Sequence, residues 1–264
     1  MEQAQAKRWS PSFLAQAKLQ NAWPLTTPAW FLILTTAWFC FLAVFHAFPQ
    51  IDVAIADIFF EQADCLPTDR PGLVCGVFLP ATEPMLRIVR RILFYMPVIL
   101  AVALIVVLLQ NLHHHGSTYC TKRTRACGIA LFALVIGPYL LVNLVIKSVS
   151  GRPRPYETDI FGGDKVFSAA GSFDGACYSN CSFISGESAG AGWVACLIVL
   201  VPARWRPLLA PPLLLVSLIS PALRVAFGGH YFSDALLGYL SAIVVYVGII
   251  AYFEMTQPLK KQSL

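Results

Sequence analysis

Three short clusters in the second half of the chain contain the residue types that phosphoryl transfer needs. They are Lys147 with Arg152 and Arg154, then Ser185 with Gly186 and Glu187, and finally Arg224 with His230 and Asp234. A phosphate monoester presents charged oxygens that suit bidentate guanidinium forks and a lysine point charge. Backbone N–H groups at a helix start, beside a glycine that lets an anion approach closely, would complete such a site. The clusters together predict one anion site that stabilises the transition state of phosphoryl transfer.

The third cluster also supplies a nucleophile. His230 and Asp234 are four residues apart, so their side chains can meet on one face if a helix begins near Tyr231. A carboxylate bonded to one ring nitrogen would leave the lone pair of the other nitrogen free to attack phosphorus. This arrangement predicts a phosphohistidine intermediate that water later hydrolyses. The scheme needs no metal or other cofactor, and the sequence has no obvious carboxylate cluster to hold a metal ion.

The composition predicts that a membrane positions these clusters. The chain is 57% hydrophobic and only 12% charged, far from the roughly one-quarter charged residues of a soluble domain. Long apolar runs predict an all-α polytopic membrane protein with six transmembrane helices, at residues 29–48, 92–112, 128–146, 188–203, 207–223 and 235–253. The runs 188–203 and 207–223 are near the lower length limit, so buried core helices or a re-entrant hairpin are alternatives. We expect a single membrane domain over residues 1–264.

Loop charges predict the orientation of this domain. Six spans put ten Lys and Arg residues on the side of both termini and nine on the other side, where Lys147, Arg152, Arg154 and Arg224 belong to the clusters. Because basic loops stay in the cytoplasm, both termini and residues 1–28 are expected there, with the clusters at the outer face. In the outer loops, Cys65 with Cys75 and Cys177 with Cys181 could form disulfides, and the sequence leaves both pairings open. Arg87, Arg90 and Arg91 could bind headgroups or extend to the membrane surface.

The clusters resemble the motifs of the phosphatidic acid phosphatase type 2 (PAP2) family, which is related to vanadium haloperoxidases. Lys147-x6-Arg154-Pro155 is similar to the first motif, Ser185-Gly186 to the core of the second, and Arg224-x5-His230-x3-Asp234 to the third. Taken singly, each residue could be an interfacial anchor or a structural contact, and only the ordered set over residues 147–234 is specific. The resemblance implies phosphate binding by Lys147, Arg154 and Arg224, attack by His230, orientation by Asp234, and a six-helix bundle whose site faces the periplasm of a bacterial inner membrane.

One residue departs from the family pattern. The second motif usually reads Pro-Ser-Gly-His, whereas this chain has Ile184-Ser185-Gly186-Glu187. The usual histidine is thought to protonate the leaving oxygen, so we hypothesise that Glu187 takes this acid role, since a phosphate dianion and partial burial favour a protonated carboxyl group. A hydrogen-bonding or headgroup-selecting role for Glu187 is the alternative.

The expected function is therefore hydrolysis of a phosphate from a membrane lipid. A site at the mouth of a helix bundle can take a headgroup while the lipid tail stays in the bilayer. The run 177–187 resembles a bacterial branch of lipid A phosphatases, while undecaprenyl diphosphate, phosphatidylglycerophosphate and phosphatidic acid are alternative substrates. A lipid phosphotransferase, a non-catalytic phospholipid-binding protein and a vanadium peroxidase are alternative functions. The expected partners are the bilayer and a lipid phosphate, without nucleic acid, and no oligomeric state is specified.

Overall fold

The computed structural model describes residues 27–65, 74–115 and 122–256. The chain enters through helix α1 (Thr27–Ala47) and continues into α2 (Gln50–Asp57), the antiparallel strands β1 (Phe60–Gln62) and β2 (Gly76–Phe78), and the single turn α3 (Leu79–Thr82). Most of the predicted cytoplasmic segment 1–28 lies outside the described residues. The same holds for basic residues that the orientation argument counted at the two termini, namely Lys7, Arg8, Lys18, Lys260 and Lys261.

The remaining helices form the bundle. Helix α4 (Pro84–His115) is followed by α5 (Lys122–Leu134), which runs through a π-helix (Val135–Ile146) into the short α6 (Lys147–Val149). Helix α7 (Gly186–Cys196) ends in a 3₁₀ turn (Leu197–Leu200), and the last two helices are α8 (Arg206–Ala226) and α9 (Phe232–Thr256). The π-helix matters because such irregular turns often occur at functional sites.

Five of the six predicted spans coincide with helices that are long and apolar enough to cross a membrane. Among the described residues these helices are Thr27–Ala47, Pro84–His113, Thr124–Val149, Arg206–Ala226 and Phe232–Thr256. The sixth predicted span, 188–203, corresponds to the shorter apolar helix Gly186–Leu200. At 1.5 Å per residue this helix is about 22 Å long, less than the roughly 30 Å of a bilayer core. The count of six spans is therefore not confirmed, although the mainly helical membrane fold is.

Helix α7 is the buried centre of the bundle. Its residues from Ser188 to Ala195 are all buried, and it packs against α8, α9, α4 and the π-helix. Trp193 on α7 is fully buried with Leu237 and Tyr246 of α9. By contrast, the long helix α4 exposes large apolar side chains along most of its length, such as Ile92, Ile99 and Leu109. Lipid tails are the natural neighbours of such a surface, so the helix contacts the bilayer outside and the core inside.

Two long connections lie at the ends of the helices that carry the clusters. The first contains β1, β2 and the disulfide between Cys65 and Cys75. The second, between α6 and α7, contains the disulfide between Cys177 and Cys181, so both of the disulfides that the sequence left open are present. Gly151 has a left-handed φ of 61°, and its carbonyl accepts a hydrogen bond from the Cys177 N–H. The second connection is thereby folded back onto the first motif.

Candidate active site

A cavity of about 580 Å³ lies between α4, the π-helix, α7 and α8. One end is polar and is lined by Arg90, Asn143, Lys147, Arg154, Asn180, Gly186, Glu187, Arg224 and His230. The other end is apolar and is lined by Leu93, Phe94, Tyr95, Val98, Leu134 and Tyr139. Six residues of the three predicted clusters therefore line one cavity.

His230 is held in the protonation state that a nucleophile requires. Its Nδ1 is 2.7 Å from the carbonyl oxygen of Ser182, and because a carbonyl can only accept, Nδ1 carries the hydrogen. The lone pair is then on Nε2. Burial, followed by the nearby charges of Arg224, Lys147 and Arg154, lowers the pKa of His230 well below its ordinary value. The side chain is therefore a neutral imidazole at neutral pH.

The predicted direct bond between His230 and Asp234 is wrong in its geometry. His230 Nδ1 is 3.9 Å from Asp234 Oδ2, which is too long for a hydrogen bond. The Ser182 hydroxyl lies between them, because it donates to Asp234 Oδ2 at 2.5 Å and is 3.3 Å from His230 Nδ1. Asp234 Oδ2 also accepts from the backbone N–H of Tyr231 at 3.0 Å, since α9 begins only at Phe232. Asp234 thus reaches the histidine through Ser182.

Arg152, to which the first motif assigns no role, is fully buried behind His230, Ser182 and Asp234. Its Nη1 donates to Asp234 Oδ1 at 2.6 Å, and its Nη2 donates to Asp52 Oδ2 at 2.8 Å. Burial alone would lower the pKa of Arg152, but the charges of Asp234 and Asp52 outweigh it and raise this pKa. Asp52 lies on α2 and was not identified from the sequence. An acidic residue within the otherwise apolar run 51–56 was the signal that could have pointed to it.

Three of the cations at the polar end of the cavity come from the predicted clusters. Arg154 donates to the Asn180 carbonyl at 3.0 Å and to the Tyr156 hydroxyl at 3.1 Å. Arg224 is only 6% exposed, and its guanidinium group packs against Gly229, where a Cβ atom would be 2.7 Å away. Lys147 lies at the start of α6 and lines the same cavity. A side chain at position 229 would therefore displace the Arg224 guanidinium group from this position.

The second cluster forms the start of α7. The Ser185 side chain is fully buried and caps the helix by accepting a hydrogen bond from the Ser188 N–H at 3.3 Å. Its own N–H donates to the Asp234 carbonyl at 3.0 Å. The Ser185 hydroxyl is thus used as a helix cap, whereas Gly186, the first residue of α7, lines the cavity. The positive end of the α7 dipole therefore points toward the cations and His230.

Glu187 forms ion pairs with two arginines. Its Oε1 is 2.6 Å from Arg90 Nη2 and 3.4 Å from Arg224 Nε, while its Oε2 accepts from Arg90 Nε at 3.2 Å. Arg90 belongs to α4, and the sequence had offered headgroup binding or extension to the membrane surface for it. Two guanidinium partners favour the ionised carboxylate, which accepts hydrogen bonds and cannot donate one.

Comparisons with known proteins identify the family of this chain. The family model described as the PAP2 superfamily matches residues 126–258. The chain is 43% identical over 241 residues to a lipid A 4'-phosphatase of Rhizobium etli, covering 91% of this chain and 94% of that protein. It is 42% identical over 233 residues to a lipid A 4'-phosphatase of Rhizobium leguminosarum, covering 88% and 100%, and 28% identical over 221 residues to one of Francisella tularensis subsp. novicida, covering 81% and 88%.

The fold has a counterpart among solved structures. It matches the crystal structure of a transmembrane PAP2 type phosphatidylglycerolphosphate phosphatase from Bacillus subtilis with a TM-score of 0.54. The two chains are 16% identical, and the match covers 87% of this chain and 98% of the other. From the family model and the relatives, the chain belongs to the PAP2 superfamily, and it is a membrane lipid phosphatase.

Proposed function

We propose that the protein removes the 4'-phosphate of lipid A through a phosphohistidine intermediate on His230. The observation that carries this proposal is that a neutral His230, with its lone pair on Nε2, lines the same cavity as Lys147, Arg154 and Arg224. The substrate is proposed from the relatives, three of which are named lipid A 4'-phosphatases.

The two-ended cavity supports a lipid as the substrate. A phosphorylated headgroup fits the polar end, where basic side chains and the start of α7 are found. The apolar end lies between α4 and the π-helix, two segments whose outer side chains, such as Val98 and Tyr139, are exposed where the bilayer would be. An acyl chain could therefore remain in contact with the membrane while the phosphate reaches His230.

In the first step, the Nε2 lone pair of His230 forms a bond to phosphorus as the bond from phosphorus to the sugar oxygen breaks. Lys147, Arg154 and Arg224 stabilise the charge on the equatorial oxygens, and the N–H groups at the start of α7 add to them. The Ser182 carbonyl accepts the Nδ1 hydrogen throughout, so the ring keeps its orientation. The leaving oxygen takes a proton to become the hydroxyl group of the dephosphorylated lipid.

In the second step, water attacks the phosphohistidine. The bond between phosphorus and Nε2 breaks, inorganic phosphate leaves, and His230 returns to its neutral form. The proton that water loses balances the one that the leaving oxygen gained in the first step. Both steps use the same cations, because the charge on the transferred group is similar in each.

The acid role of Glu187 stays a prediction. The ion pairs of Glu187 with Arg90 and Arg224 favour its ionised form in the absence of substrate. Acid catalysis therefore requires that the phosphate dianion of the substrate binds Arg224 in place of Glu187, and that Glu187 becomes protonated. Glu187→Gln keeps the size of the side chain and removes the transferable proton. If Glu187 is the acid, kcat falls severely while the melting temperature is unchanged, and a near-normal kcat refutes the acid role.

We also propose that the site faces the periplasm of a bacterial inner membrane and that both termini are cytoplasmic. The distribution of Lys and Arg residues among the loops supports this orientation. Both disulfides lie in the connections at the end of the bundle where the site is found, and disulfides persist in oxidising compartments such as the periplasm.

The decisive experiment gives purified protein a panel of lipid A, undecaprenyl diphosphate, phosphatidylglycerophosphate and phosphatidic acid, and measures the phosphate released from each. Lipid A is expected to be the preferred substrate, with loss of the 4'-phosphate seen by mass spectrometry. His230→Asn, checked for folding by its melting temperature, is expected to release none. Preference for another lipid would overturn the substrate assignment, and release that depends on an added acceptor lipid would indicate a phosphotransferase.

A further inference from the structure

The group behind His230 contains two buried carboxylates and one buried guanidinium. Arg152, Asp52 and Asp234 each have fully buried side chains, and Arg152 bridges the two carboxylates. Ser233 strengthens the bridge, because its N–H donates to Asp52 Oδ1 at 2.8 Å and its hydroxyl donates to Asp52 Oδ2. The nucleophile is thus linked to α2, which precedes all three motifs in the chain.

The hydrogen bonds of this group favour ionised carboxylates. Asp52 accepts from the Ser233 N–H, the Ser233 hydroxyl and Arg152. Asp234 accepts from Arg152, the Ser182 hydroxyl and the Tyr231 N–H. Each carboxyl group has three donor partners, which is the pattern of an ionised carboxylate. Two negative charges and one positive charge therefore leave one negative charge uncompensated inside the group.

An uncompensated buried charge destabilises the folded protein. Its presence here therefore suggests a functional role. Here it lies on the side of His230, since Asp234 Oδ2 is 3.9 Å from Nδ1. When Nε2 bonds to phosphorus, the imidazole ring becomes positively charged, and a nearby negative charge stabilises that state. Without Asp52, Arg152 would pair with Asp234 alone and the pair would be neutral.

We propose that Asp52 is a positioning residue that balances Arg152 and so keeps the charge of Asp234 available to His230. This inference rests on the proposed phosphohistidine path. Asp52 acts through Arg152 and Asp234, and it does not touch the substrate. The Tyr231 ring, 4.3 Å from Arg152 Cζ, and the Ser168 carbonyl, which accepts from Arg152 Nε at 2.9 Å, hold the guanidinium between the two carboxylates.

The test compares Asp52→Asn with Asp57→Asn, a substitution of an exposed aspartate on the same helix. Lipid A radiolabelled at its 4'-phosphate is mixed with each purified protein, and acid-labile, base-stable labelling of the protein is followed over time. In Asp52→Asn, phosphohistidine formation at saturating substrate is expected to slow at least about tenfold, with KM changed less than about threefold. Asp57→Asn is expected to label at the native rate. An equal rate in Asp52→Asn overturns the proposal.

A double variant separates charge balance from simple loss of structure. In Asp52→Asn with Arg152→Gln, both partners are neutral and Asp234 regains its free charge, so labelling is expected to recover to within about threefold of the native rate. If Asp52→Asn alone does not fold, this variant carries the test, and a folded double variant that remains more than about tenfold slow overturns the proposal. Absence of phosphohistidine in the native protein would instead disprove the proposed path itself.

Discussion

Ser182 joins His230, the proposed nucleophile, to Asp234: its carbonyl accepts from His230 Nδ1 and its hydroxyl donates to Asp234 Oδ2. Ser182→Ala keeps the carbonyl and removes only the hydroxyl. A hydrogen bond to a charged group contributes about 1.5–3 kcal/mol, so we expect kcat to fall roughly tenfold to a hundredfold with little change in KM. Steady-state hydrolysis of lipid A measures both constants.

The matched control for this substitution is Ser150→Ala. Ser150 is also fully buried in the same loop region, but within the described residues its hydroxyl has no hydrogen-bond partner. We expect native kcat in Ser150→Ala. A Ser182→Ala protein with native kcat would mean that the hydroxyl does not connect Asp234 to the histidine.

The lowered pKa of His230 keeps its imidazole neutral in mild acid. Its pKa lies well below 6.5, because burial and then the charges of Arg224, Lys147 and Arg154 disfavour the imidazolium form. The unfolded chain binds a proton at this residue near pH 6.5 and the folded chain does not, so the contribution of His230 to stability decreases as pH falls below about 6.5.

The measurement is a titration of labelled histidines by NMR, in which His230 is the signal lost in His230→Asn. We expect that signal to remain that of neutral imidazole from pH 7 to below pH 6.5. Arg154→Gln removes one of the three neighbouring cations and should move the titration to higher pH. A midpoint near 6.5 in the native protein would contradict the electrostatic picture of the site.

At the scale of elements, α4 contributes a side chain to the candidate site although it precedes the motifs. Arg90 holds Glu187 at the mouth of the cavity. In Arg90→Ala, Arg224 is the remaining ion-pair partner of Glu187 among the pairs described above. Glu187 then neutralises more of the positive charge that Arg224 offers to the substrate phosphate, so we expect kcat/KM to fall severalfold. Stability should change by no more than about 1 kcal/mol, because the Arg90 side chain is 35% exposed.

Arg87→Ala is the control for Arg90→Ala. Arg87 lies one turn earlier on α4 and donates to the Thr82 carbonyl at 3.2 Å. We expect native kcat/KM in this variant. An equal loss of kcat/KM in both variants would indicate that basic residues on α4 attract anionic lipid in general, and would exclude a specific role of Arg90.

The elements themselves were largely predictable. Long apolar runs predict helices because a bilayer selects for them, and five of these runs coincide with helices long enough to span. The start of α7 at Gly186 was also foreseeable from the Ser185-Gly186 step, which is a helix cap. For the run 188–203, the sequence leaves a span, a buried core helix and a re-entrant hairpin open, because apolar composition is the same for a helix buried in protein and a helix buried in lipid.

The sequence predicted which residues belong to the candidate site better than it predicted which of them are in contact. Spacing along one helix suggested a bond between His230 and Asp234, but Ser182, almost fifty residues earlier, lies between them. Asp52 meets Arg152 only through the packing of α2 against α9. No periodicity in the sequence relates residues that are a hundred positions apart, so these contacts needed the tertiary structure.

At the scale of the whole molecule, the proposed orientation predicts which loops a reagent can reach. Tyr178 is 98% exposed in the connection beside the site, and Arg204 lies in the turn between Leu200 and α8, at the opposite end of α7. In intact spheroplasts, Tyr178→Cys should react with a membrane-impermeant maleimide. Arg204→Cys should react only after the membrane is permeabilised. The reverse pattern would place the site in the cytoplasm.

The link between α2 and His230 limits how the protein can be divided. The segment that the PAP2 model matches, residues 126–258, includes His230, Asp234 and Arg152, but Asp52 and Arg90 precede it. A shortened protein beginning there would retain every motif residue and still leave the Arg152 guanidinium without its second carboxylate. Carrying all the motif residues is thus not the same as being able to work alone, and from the proposed role of Asp52 we expect the smallest active enzyme to extend back at least to the helix that bears it.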